Sequence, residues 1–140
     1  MIRRTILVLC TTFLLASAVG CGPSALDLKR QQADDAIHVL EPMFGSYYLL
    51  GPDATLADAR AETARLSNAW TDVVKAADGL EEVDLTDSQA AHDALVKAVA
   101  DLPDDAKPGE PMRVAVPKME AFKAAVEKMH EASGLQDLDK

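Results

Sequence analysis

Between Ser24 and Gly134 the apolar residues recur every three or four positions, and that period confines the chain to helices. Ala33, Ile37, Leu40, Phe44 and Tyr47 mark a first stripe, and Ala59, Thr63, Leu66, Trp70, Val73, Ala77 and Leu80 a second. Ala91, Leu95, Val99 and Leu102 mark a third, and Met119, Phe122, Val126, Met129 and Ser133 a fourth. No stretch alternates apolar and polar residues as a half-buried strand does. Ser24 with Asp27 and Thr55 with Asp58 read as helix starts, and Thr86-Asp87-Ser88-Gln89 as a capping box. Gly51-Pro52, Gly79, Pro103 and Gly134 are stops. Pro42 falls inside the first stripe and predicts a kink near His38 to Glu41. The last helix is expected to start between Met112 and Lys118, with Pro117 favoured at its first position and Met112 to Val116 as a lead-in. The expected fold is all-α: an antiparallel up-down-up-down four-helix bundle over 25–134, followed by a frayed tail over 135–140.

A different kind of segment precedes the bundle. Arg3-Arg4 opens it, an apolar run from Ile6 to Ala16 follows, and Ser17-Ala18-Val19-Gly20 leads to Cys21. A positive start, a short apolar middle and small residues at the end make a secretory signal, and the apolar run is too short to span a membrane. Ala18-Val19-Gly20-Cys21 resembles the lipobox of bacterial lipoproteins, in which small or aliphatic residues precede an obligatory cysteine. That resemblance implies removal of residues 1–20, a diacylglyceryl group on the Cys21 sulfur and an acyl chain on its new amino group. Residues 21–24 are then the lipidated N-terminus and a short spacer. One acyl chain binds a bilayer only reversibly, so a stable anchor needs more than one. The lipid bilayer is thus the implied partner and the periplasmic face of the cell envelope the implied location. Gly22 is not the Asp that marks inner-membrane retention in enteric bacteria, which tilts the expectation toward the outer membrane.

Charge and cysteine usage narrow the function classes. Loss of Arg3 and Arg4 takes the formal charge from −9 to −11. So acidic a domain argues against nucleic acid as a partner and against an electrostatic grip on anionic lipid. Cys10 leaves with the signal and Cys21 carries lipid, so the mature chain has no disulfide, thiol nucleophile, thiolate metal site or covalent c-type haem. No serine triad pattern, glycine-rich phosphate loop or His-Glu-x-x-His helix occurs, and an enzyme is not expected. Asp34-Asp35, Glu81-Glu82 and Asp104-Asp105 lack calcium-loop spacing and read as solvated faces.

Three histidines remain: His38, His92 and His130. With Ala25 set opposite Ser133, His38 stands within one turn of Lys118 and Met119. His38, Met43 and Met119 then form a candidate metal set of imidazole and thioether donors, suited to Cu(I). The competing expectation is that the seam methionines fill space, while His38 and His130, one residue off the seam, reach water. The run AIHVLEPMFGSYYLLGPDATLADARAETARLSNAWTDVVKAA, with the later pieces HDALVKAVADL and MEAFKAAVEKMHEASG, resembles an uncharacterised helical domain of bacterial periplasmic proteins. That domain accompanies copper-efflux adaptors, so the resemblance implies a helical fold and a link to copper. Copper-linked members often end in a Cys-Pro-Met tail, where this chain has Leu135-Gln136-Asp137-Leu138-Asp139-Lys140. The place of His130 near the chain's end is similar to that of the histidine in four-helix cytochromes, which implies non-covalent haem. The expected function is a membrane-anchored lipoprotein whose acidic bundle is a non-enzymatic binding module for an envelope protein partner. Copper handling and haem binding are the alternatives.

Overall fold

The structure, a computed structural model, describes residues 22–136. The signal segment, Cys21 and the chain beyond 136 lie outside the described residues. Four helices account for the fold: α1 (Ala25–Leu49), α2 (Leu56–Ala77), α3 (Thr86–Ala100) and α4 (Glu110–Ser133). Among the described residues there is no strand, and no helix is long and apolar enough to cross a membrane.

Local chemistry sets most of the boundaries. Ser24 and Asp27 close a capping box on α1, the Asp27 N–H donating to Ser24 Oγ at 3.1 Å and the Ser24 N–H to Asp27 Oδ2 at 3.0 Å. Thr55 and Asp58 repeat the device on α2 at 3.2 and 2.9 Å. The third start differs from expectation. Thr86 is already helical, and the cap comes from upstream, where the Asp84 carboxylate accepts from the Thr86 N–H at 2.9 Å.

The last helix also departs from expectation. It begins at Glu110, upstream of Met112 and of the favoured Pro117. Pro111 in the first turn makes this possible, because the N–H it lacks has no intrahelical partner there. Pro117 is carried inside the helix, as Pro42 is inside α1. Each proline removes one helical hydrogen bond, and tertiary packing of the flanking turns keeps the helix continuous. The N-cap Gly109 adopts φ +83°, and its N–H donates to the Ala54 carbonyl at 3.0 Å. A Cβ there would stand 2.4 Å from the Pro52 oxygen, so only glycine lets the two loops meet.

α1 packs chiefly on α2 and α3 chiefly on α4, with α1–α4 and α2–α3 contacts joining the pairs. The stripe Ala33, Ile37, Leu40, Phe44, Tyr47 is buried as its spacing requires, and so are Leu66, Trp70, Val73, Leu95, Val99 and Val126. Phe122 of α4 is the centre of the core. Its ring stands edge-on to Phe44 of α1 (5.2 Å) and Trp70 of α2 (5.3 Å), and meets His92 of α3 (5.3 Å). Gly134 turns the chain at φ +68° and folds Leu135 back into the core at 2 % exposure, so the first residue of the expected tail is packed.

Candidate functional site

Most polar side chains on the bundle make exposed pairs of small energetic weight, such as Arg60–Asp104 and Lys97–Asp101. One group between α1 and α4 is different. Asp34, His38 and Glu41 lie at positions i, i+4 and i+7 of α1, one stripe along the helix beside the apolar seam. His130, in the last turn of α4, is inserted among them and is 2 % exposed. Its Nε2 lies 2.6 Å from Asp34 Oδ1 and its Nδ1 3.2 Å from Glu41 Oε1. His38 sets its ring at 90° to the His130 ring, centroids 5.3 Å apart, and its Nδ1 lies 3.0 Å from the Asp34 carbonyl oxygen. Each ring nitrogen of His130 thus faces a carboxylate oxygen of α1. Charges packed into a helix seam pay heavy desolvation, so a buried pair of this kind is weak evidence of a stabilising role.

Two expectations fail here for one reason. Asp34 was expected on a solvated face and His130 in reach of water; both are buried, because each covers the other. The register explains why. Contacts run from Asp34–His130 through Phe44–Phe122 to Tyr48–Glu120, the last a hydrogen bond of 2.8 Å. Met119 is therefore level with the final turns of α1, about ten residues or 15 Å along the helix from His38. The first turns of α1 overhang the end of α4 and lean instead on the α2–α3 loop, where Arg30 Nε meets Glu82 Oε1 at 2.5 Å.

The expected donor set His38, Met43 and Met119 is not brought together. Met119 is fully buried in the core. Met43 is five residues from His38, which rotates it about 140° around α1. It lines a groove between α1 and α2 with Val39, Arg65 and Asp72. The haem expectation also meets an obstacle, since Nε2 of His130 is already in contact with Asp34 and a porphyrin iron would have to displace it.

Three further polar groups found their partners only in the tertiary structure. Glu62 is buried on α2, bonded to Ser46 of α1 and to Arg65 Nη1 at 2.9 Å. Burial raises the pKa of the Tyr47 phenol, whose hydroxyl bonds Thr63. His92, on α3, is held by Ser67 Oγ at 2.9 Å and by its neighbour Asp93 at 3.2 Å, against a Trp70 whose indole N–H donates to Gln89 Oε1 at 2.9 Å. The i, i+4, i+7 stripe of Asp34, His38 and Glu41 was visible in the sequence, but its partner depended on the α1–α4 register. No protein-family model matches the chain, and neither do the curated proteins or the solved structures.

Proposed function

We propose that this chain is a lipid-anchored protein of the bacterial cell envelope, facing the periplasm, whose helices form an antiparallel up-down-up-down bundle serving as a non-enzymatic binding module. The observation that carries this reading is the lipobox Ala18-Val19-Gly20-Cys21, set three residues before the capped start of α1 at Ser24. Three residues reach at most about 10 Å, so a lipidated Cys21 keeps the bundle against the headgroups. The up-down arrangement is supported by the contacts in which rising numbers on α1 meet falling numbers on α4, and by the Gly109–Ala54 hydrogen bond between the first and third loops. A binding role for an envelope protein partner is supported by the groove of Ala36, Val39, Met43 and Ala69 between α1 and α2, rimmed by Asp35, Arg65 and Asp72. Val39 is 63 % exposed there, an apolar side chain open to a partner.

The test is cell fractionation with labelled fatty acid. The native chain should take up label and sediment with membranes, and Cys21→Ser should take up none and leave the membrane fraction or keep its signal. A Cys21→Ser chain that stays membrane-bound with its signal removed would overturn the anchor.

A further inference from the structure

The cluster between α1 and α4 has a geometry that a hydrogen-bonded ion pair alone does not need. One ligand atom from each of Asp34, His38 and His130 lies within 4.8 Å of the other two. Donors bound tetrahedrally to a zinc-type ion at about 2.0–2.2 Å stand roughly 3.4 Å apart. His38 Nδ1 and Asp34 Oδ2 are already 3.4 Å apart. His130 Nε2 and Asp34 Oδ1, at 2.6 Å, need to part by less than about 1 Å to admit the ion. Glu41 completes the pattern from behind: it holds the other ring nitrogen of His130 at 3.2 Å. Metal-bound histidines ordinarily give their second N–H to a carboxylate or carbonyl, which fixes the ring and raises its basicity.

We propose that Asp34, His38 and His130 bind one divalent transition ion of the zinc type, with Glu41 positioning His130. The ion takes the place of a proton at His130 Nε2 and at His38 Nδ1: the first passes to solvent and the second to His38 Nε2, which breaks the His38 bond to the Asp34 carbonyl, while His130 Nδ1 keeps its proton on Glu41. Its two positive charges offset the carboxylates that crowd a single buried imidazole. Two imidazoles and one carboxylate suit Zn2+, Co2+ or Cu2+; Ca2+ and Mg2+ prefer all-oxygen sites, and Cu(I) prefers the thioethers that lie elsewhere. The His38 side chain is 58 % exposed, so the ion enters from solvent and its fourth position stays open to water or to a donor from a partner. The site stands independently of the lipid anchor.

The experiment uses the full chain in detergent micelles, stripped of metal, and titrated with Zn2+ against a chromogenic chelator and with Co2+ by visible absorption. The expected result is one ion per chain, a Zn2+ Kd below about 10 μM and the intense absorption of tetrahedral Co2+. His38→Ala changes a surface-facing side chain and should fold normally while weakening Zn2+ by about 100-fold; Glu41→Gln should weaken it about 10- to 100-fold. His92→Ala should leave binding unchanged. A Kd weaker than about 10 μM, an affinity unmoved by His38→Ala, or an equal loss in His92→Ala would overturn the site.

Discussion

His92 and His130 are both histidines at helix–helix contacts with both ring nitrogens engaged, yet they occupy opposite kinds of environment. His92 meets a hydroxyl on α2 and the exposed carboxylate of the next residue, and its ring packs against Trp70 and Phe122. A hydroxyl donates or accepts as required, so this imidazole is satisfied without burying charge. His130 meets two carboxylates from another helix and a second imidazole, with almost no water. The first arrangement belongs to packing. The second crowds ionisable groups together where burial makes any charge costly.

The contrast can be broken or sharpened by substitution. The largest effect is expected at Phe122, the wall of the His92 region: Phe122→Ala should cost about 3–5 kcal/mol in denaturant melts. A cost below about 1 kcal/mol would mean that the aromatic cluster does not join the helices. Next come matched leucine changes at the two histidines. His130→Leu alone leaves Asp34 facing an apolar group and should cost about 3 kcal/mol, and adding Asp34→Leu should recover most of that loss. His92→Leu, at the partly open site, should cost no more than about 1 kcal/mol. Equal costs at both histidines, or no recovery in the double variant, would erase the distinction.

The exposed carboxylates give the smallest effect and a baseline for the buried ones. Hydrogen bonds from the Thr55 hydroxyl and N–H hold the Asp58 carboxyl below the ordinary carboxylate range, and those from Ser24 do the same for Asp27. A lowered folded-state pKa adds stability that is present above the ordinary value and lost as pH falls through the folded one. Stability should therefore fall below about pH 4, and Thr55→Ala should both flatten that fall and cost about 1 kcal/mol at neutral pH. An acid limb as steep in Thr55→Ala as in the native chain would assign it to other carboxylates.

The all-helical class, the buried stripes, and the caps at Ser24 and Thr55 were legible in the sequence because each depends on residues three or four apart. The same range misled at Thr86, where Asp84 two residues upstream caps more directly, and at Pro117, where local preference yields to packing along α4. Helix existence and facing are local physics, so the sequence by itself determined them. The offset of α1 against α4 is not local: it follows from where both helices end and how the core closes on Phe122. That offset, decided only by the tertiary structure, carried Met119 away from His38 and put His130 there, because sliding one helix past another exchanges every cross-helix neighbour while leaving each stripe unchanged.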